Sequence, residues 1–314
     1  MTKQSCSVIL AIFCAFASYL SAQSTVSTPI VGFEKRNFAV GTTGLGAGFV
    51  KPSTFSGVAS SVSASTITVT GANFGNLAPS GGLPAYYAEI TSGDMAGYIL
   101  DITSNTSSVL TVDGELSGIL GTTPTIVIRP HLKVSDIFAG NSSLADYADT
   151  VVVYHADGTS SSALRDSSSS TGWVDPNTFA EADLVVYPGQ GFLLNSSGSG
   201  QVTVSGQVKT TPTVIPLYAG VVNLVTAGNP SSNPVLQTSQ LGQNMADYVD
   251  TVATYSTSGD FNQTATYLWG GSADGFINPD TFSPVSGVTL PGTGAFIVSV
   301  QTDTTWKALP AVNP

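Results

Sequence analysis

Leu144–Tyr154 reads LADYADTVVVY, and Met245–Tyr255 reads MADYVDTVATY. The two stretches share Ala, Asp, Tyr, Asp, Thr, Val and Tyr in the same places, at an offset of 101 residues. After a slip of two, the match resumes at an offset of 103, with GWVDPNTF at 172–179 against GFINPDTF at 275–282. A third block follows in each copy, PGQGF at 188–192 and PGTGAF at 291–296. Blocks in the same order at near-constant spacing mark an internal repeat, each copy one supersecondary unit. The unit is built from strands. Asp-Thr-Val launches a β-branched run, and Asp149 or Asp250 can satisfy a backbone N–H of the turn before it. Trp173 or Phe276 supplies core area, and the Pro-containing phrase sets a turn with proline's fixed φ and an Asx or Ser/Thr hydrogen bond. Gly191 and Gly294 suit a bulge or a close backbone approach.

Working outward, the chain shows no long apolar rhythm of period 3.6. Short β-branched runs recur between glycine-, serine- and proline-containing breaks, among them Thr66–Thr70, Val109–Val112, Thr125–Ile128, Gln201–Val204 and Phe296–Val300. This pattern predicts an all-β protein of the sandwich or barrel kind. Helical character is confined to Val134–Phe138 and Leu144–Tyr147. The expected organisation is two homologous β-sandwich-like modules, at 23–212 and 213–314. Residues 56–130 have no counterpart in the second copy and read as a small barrel-like β insertion of five strands. An open meander fits the same pattern. Unpaired edge strands of such modules would let copies associate edge to edge.

The first 22 residues read as a signal peptide. Lys3 precedes the apolar run Val8–Leu20, and Ser21-Ala22 offers a small-residue cleavage point. The run is shorter than the roughly 20 residues that span a bilayer, so no transmembrane segment is expected after its removal. The expected location is secreted or cell-surface, with the periplasm left open. Both cysteines, Cys6 and Cys14, fall in this segment, which leaves no thiol or disulfide chemistry to the rest of the chain. With only 9 Lys and Arg and a net charge of −11, a nucleic-acid partner is excluded, because phosphate neutralisation needs clustered cations.

The opening Pro29–Phe33 (PIVGF), the phrase Tyr86–Asp101 (YYAEITSGDMAGYILD) and the Asp-Thr-Val, Trp and Pro-Gly-Gln-Gly-Phe series carry a resemblance. Together they resemble a secreted verrucomicrobial family of β-rich proteins of unassigned function. More distantly, Asn223–Pro230 followed by Pro291–Gly294 is similar to a module of bacterial surface proteins that carries Asn-Leu-x-Gly-Asn-Pro and later Pro-Gly-Gln-Gly-Phe. Here the first phrase is two residues longer. These resemblances imply secretion and a β fold, and no catalytic residue.

The residues offer three kinds of chemistry. Both histidines, His131 and His155, lack a Gly-x-Ser-x-Gly elbow nearby. His155 falls where a hairpin turn is expected, the second copy having Ser256 in its place, and His131 joins Arg129 and Lys133 in a local basic cluster. Asp146, Asp149, Asp247 and Asp250 form duplicated pairs, which suit either strand-start capping or a calcium ion. No other cofactor is expected. Trp269, with Tyr267 beside it in a glycine-rich loop, is the first candidate for an exposed platform on which a sugar ring stacks.

The function expected from these features is a secreted or cell-surface structural or adhesive β-protein without catalytic activity, its partners a polysaccharide or other surface proteins. A carbohydrate-binding protein is the alternative. A glycoside-active hydrolase comes next, requiring Glu89, Asp101 and Glu181 to converge.

Overall fold

The extended stretches alternate buried and exposed positions, as strands with one packed face must. A computed structural model describes residues 29–256 and 259–310, and from Val31 onward these fold as one compact unit. The expected signal segment, with both cysteines, lies outside the described residues. The protein is all-β: among the described residues, 23 strands stand against one α-helical turn and a few 3-10 turns. No helix among the described residues is long and apolar enough to cross a membrane.

The first module opens with β1 (Val31–Phe38) and β2 (Gly41–Gly46). The insertion follows as β3 (Phe55–Val58), β4 (Ser61–Val62), β5 (Thr66–Thr68), β6 (Tyr86–Ile90), β7 (Ile99–Asn105), β8 (Val109–Val112) and β9 (Thr125–Pro130). The module resumes with β10 (Leu132–Lys133), helix α1 (Val134–Ile137), β11 (Thr150–Tyr154), β12 (Ser160–Arg165), β13 (Trp173–Val174), β14 (Val185–Val186), β15 (Gly191–Ser196) and β16 (Gly200–Gln207). The second module comprises β17 (Thr213–Leu217), β18 (Asn223–Val225), β19 (Thr251–Tyr255), β20 (Gln263–Trp269), β21 (Phe276–Ile277), β22 (Phe296–Ser299) and β23 (Thr304–Ala308).

Each module has a five-stranded antiparallel sheet. Their orders are β13-β12-β11-β15-β2 and β21-β20-β19-β22-β18, so the repeated sequence blocks occupy the same places in both. A two-stranded ribbon made by the module's first and last strands, β1-β16 or β17-β23, contributes the opposite side of the core. Trp173 and Phe276, the matched aromatics, are each 1% exposed within these cores. Leu144–Tyr147 is a turn rather than a helix. Tyr147 takes φ +59°, a left-handed conformation that ends helical propagation.

The insertion pairs in the order β3-β9-β6-β7-β8-β5-β4. Its end strands are separated in sequence only by Ala59 and Ser60. Ala59 N donates to Pro124 O at 2.9 Å and Ser60 N to Thr68 O at 2.8 Å, so one bent segment supplies both end strands of the order and curls it into a half-barrel. Ile67, Ile90, Ile102, Leu110, Ile126 and Ile128 fill the interior. The segment Phe55–Val62 was not expected as a strand, because Gly57 and its serines dilute the β-branched signal.

The two modules dock reciprocally. β2 and β18 are edge strands of their sheets, and each meets the other module's Pro-Gly turn. Gly46 N donates to Thr293 O and Thr226 N to Gly189 O, both at 2.9 Å, while bridges join Leu45 to Gly294 and Gln190 to Val225. A Cβ on Gly191 would lie 2.9 Å from that of Ala295, so this glycine is a close-approach residue. Arg36, buried on β1, donates to the Thr293 carbonyl and pairs with Glu34 at 3.1 Å. The inner edges expected to be open to another copy are thus taken up within the chain.

Candidate binding cleft

On β6 and β7 of the insertion, Ala88, Ile90, Leu100 and Ile102 point into the barrel core. Side chains alternate across a strand, so Tyr87, Glu89, Ile99 and Asp101 share the opposite face. On an isolated barrel that face would meet water. Here Tyr87 is 1% exposed and Glu89 is fully buried, because the modules pack over it.

Glu89 lies 2.8 Å from Lys209 Nζ and 3.4 Å from Arg129 Nε, and accepts from the Thr211 hydroxyl. Arg129 also donates to Lys51 O at 2.8 Å and to Gln207 Oε1 at 2.5 Å. Burial pulls the Lys209 ammonium below its ordinary pKa despite the opposing charge of Glu89. This cluster ties the insertion to the segment that joins the modules.

Asp101, further along the same face, is hydrogen-bonded to two groups of the first module. Its Oδ2 accepts from the Tyr187 hydroxyl at 2.5 Å, and its Oδ1 lies 2.9 Å from His131 Nε2. The His131 ring sits between Tyr87 and Tyr187, with centroids 4.9 and 4.8 Å away. It is 1% exposed, so it is a core histidine and not part of a solvated basic cluster. Burial, the bond to Asp101 and the charges of Asp101 and Asp113 push the Tyr187 phenol far above its ordinary pKa. Tyr187 is therefore a fixed neutral hydroxyl.

Its ring forms part of the wall of a cleft of about 590 Å³ where the three bodies meet. The insertion contributes Ile99 and Asp113, the first module Tyr154, His155, Asp157 and Tyr187, and the second Tyr218, Val222 and Asn223. Three tyrosine rings beside two aspartates suit a ligand with apolar faces and hydroxyl donors. His155 Nε2 is 2.7 Å from Ser161 Oγ, but the nearby Asp157 accepts from the N–H and hydroxyl of Thr159. Among the described residues no carboxylate hydrogen-bonds the His155 ring.

The other residues singled out in the sequence lie elsewhere. Asp149 accepts at Oδ2 from Ala145 N (2.9 Å) and Ser196 Oγ (3.1 Å), and at Oδ1 from Ser197 N and Oγ (both 2.7 Å). Burial opposes its charge, but these bonds prevail and hold the carboxyl below the usual range. Asp250 repeats the arrangement with Ala246 N at 2.7 Å and Gln301 N at 2.9 Å. Asp146 instead accepts from the N–H and hydroxyl of Ser167, and Asp247 lies against Gly271. Among the described residues, no three His, Cys, Asp or Glu side chains group closely enough to hold a metal ion.

Trp269 is not in a loop. It ends β20, packs edge-on against Phe276 at 5.0 Å and covers Gly242, whose missing Cβ makes room for the ring. Tyr267 packs against the same core. Glu89, Asp101 and Glu181 do not converge, since Glu181 accepts from the N–H and hydroxyl of Ser170 in an outer turn of the first module. The sequence offered no sign of the Asp101–His131–Tyr187 group, whose members are far apart in the chain.

No family model matches the chain, and no curated protein or solved structure does either.

Proposed function

We propose that this protein is a secreted or cell-surface adhesive β-protein that acts by binding, and that its cleft takes a hydroxyl-rich ligand such as a carbohydrate. The observation that carries this reading is the meeting of Tyr154, Tyr187 and Tyr218 with Asp113 and Asp157 at a junction of three bodies. Pyranose rings present apolar C–H faces to aromatic rings and hydroxyl donors to carboxylates. Tyr187, pinned through Asp101, gives the site a rigid wall, and preorganisation of this kind limits the entropy lost on binding. Export is supported by Lys3, the apolar run at Val8–Leu20 and the Ser21-Ala22 step. Duplication of one ancestral module is supported by the shared strand order and the matched Asp149 and Asp250 contacts.

The test is a binding isotherm of the purified protein on insoluble polysaccharides, with and without calcium. Saturable binding weakened by Tyr218→Ala, with the melting temperature unchanged, is the expected result. Binding to none of the panel, or binding indifferent to Tyr218→Ala, refutes the cleft as the ligand site.

A further inference from the structure

Five non-glycine residues among those described have positive φ, and four of them are exposed aromatics. They form two matched pairs. Tyr147 (φ +59°, 61% exposed) and Phe179 (φ +56°, 59%) belong to the first module. Tyr248 (φ +58°, 54%) and Phe282 (φ +53°, 63%) hold the equivalent places in the second. The supporting turns match as well. Tyr147 N donates to Arg165 O and Tyr248 N to Trp269 O, while Phe179 N donates to Asp175 O and Phe282 N to Asn278 O.

A bulky side chain is strained in this conformation, where glycine or asparagine is at ease. An aromatic kept for packing would be buried, and a residue kept for the turn alone would be glycine. These are neither. Of the two tyrosine hydroxyls, that of Tyr248 donates to Asp274 Oδ2 at 3.2 Å. In the first module the two rings stand 6.5 Å apart at 50°. None of the four lines the cleft.

We propose that the Tyr147–Phe179 ring pair is a binding platform for a neutral polysaccharide chain and that Tyr248 and Phe282, in the matched turns of the second module, form another, so that the protein carries two sugar sites separate from the cleft. Size and charge select this occupant. An aromatic side chain offers about 150–250 Å², so a pair somewhat over half exposed presents roughly 200–300 Å². A stable protein interface needs about 800 Å² per partner, whereas a single sugar chain needs far less. The surroundings are acidic, with Asp146 and Asp166 at one pair and Asp247 and Asp274 at the other. Arg165, the cation beside the first pair, donates to Gly172 O at 2.8 Å, lies over the Trp173 ring and pairs with Asp146 at 3.8 Å, which leaves the charge of Asp166 in excess. A polyanion is therefore disfavoured, and carboxylate acceptors suit sugar hydroxyls. Two copies of one platform on one compact unit suit a ligand that repeats, because the second contact becomes intramolecular.

Isotherms of the full chain on cellulose, xylan, β-1,3-glucan and chitin test this. The variants are Tyr147→Gly/Phe179→Gly, Tyr248→Gly/Phe282→Gly and the combination of all four, with Tyr218→Ala as the cleft control. Each pair variant should weaken binding to at least one polymer by about 10²-fold through lost bivalency, and the combination should abolish that binding. Melting temperatures should be unchanged or higher, since glycine relieves the backbone. Asparagine variants at the four positions provide a second set that tolerates the left-handed conformation. Undiminished binding in the combined variant overturns the proposal, as does binding to none of the polymers. So does a fall in melting temperature in both variant sets, which would make the rings structural. Loss of self-association instead of sugar binding, seen by sedimentation, would assign the surface to a second copy and equally overturn it. A silent Tyr218→Ala beside an inactive combined variant would reject the cleft and keep the platforms.

Discussion

Replacing Asp149 with alanine isolates the role of the duplicated aspartates. The carboxylate is buried and accepts four hydrogen bonds, two from backbone N–H groups and two from serine hydroxyls. Ser196 Oγ has an alternative acceptor in Gly198 O at 2.7 Å, so its bond is replaceable. The backbone groups left without their acceptor are Ala145 N and Ser197 N. A hydrogen bond to a charged partner contributes about 1.5–3 kcal/mol, which places the expected loss for Asp149→Ala near 3 kcal/mol. Urea unfolding followed by tryptophan fluorescence measures it, with Trp173 reporting from the first module's core. The pH dependence has a definite sign. The folded-state pKa of Asp149 is lowered, so its stabilisation is present above the unfolded value near 3.9 and fades as pH falls through the folded value. The gap between wild type and variant should therefore narrow in acid. A loss under 1 kcal/mol at neutral pH would refute the capping argument. If a chelator lowers the wild-type midpoint as far as the substitution does, the carboxylate is a calcium ligand instead. Asp250→Ala leaves the matching pair of backbone groups, Ala246 N and Gln301 N, without their acceptor, and should cost a similar amount, about 3 kcal/mol.

Gly191→Val places a side chain against Ala295 and the Leu224 backbone, and should cost 2 kcal/mol or more, lowering the melting temperature of both modules together; a midpoint within error of wild type would show that the interface yields. Glu89→Gln leaves Lys209 and Arg129 facing each other without their shared anion, with an expected loss of about 3–5 kcal/mol in urea unfolding. Trp269→Ala should destabilise the second module by about 2–3 kcal/mol without changing polysaccharide affinity, since its ring covers Gly242 and Phe276; lost affinity at intact stability would restore it as a platform.

The repeat was legible because turn and strand chemistry is local. Asp149 and Asp250 reach backbone N–H groups four residues away, and the Asp/Asn-Pro phrases close their turns within five residues. Alternation in β6 and β7 showed which residues share a face, yet not that both faces would be covered. Trp269 read as exposed because glycines follow it, whereas a glycine far away in sequence, Gly242, makes its seat. The strain at Tyr147, Phe179, Tyr248 and Phe282 left no trace in composition, since any residue can be written at a position whose φ is set by its turn.

Composition, period-two alternation and the repeated phrases by themselves determined an all-β chain with two like segments and an insertion, because those signals depend on neighbours within a few residues. Tertiary structure alone decided which Pro-Gly turn meets which edge strand, that Asp101 holds His131 and Tyr187, and where three tyrosines form one cleft. Those contacts join residues dozens to hundreds of positions apart, and their energies exist only once the chain has folded and excluded the water between them.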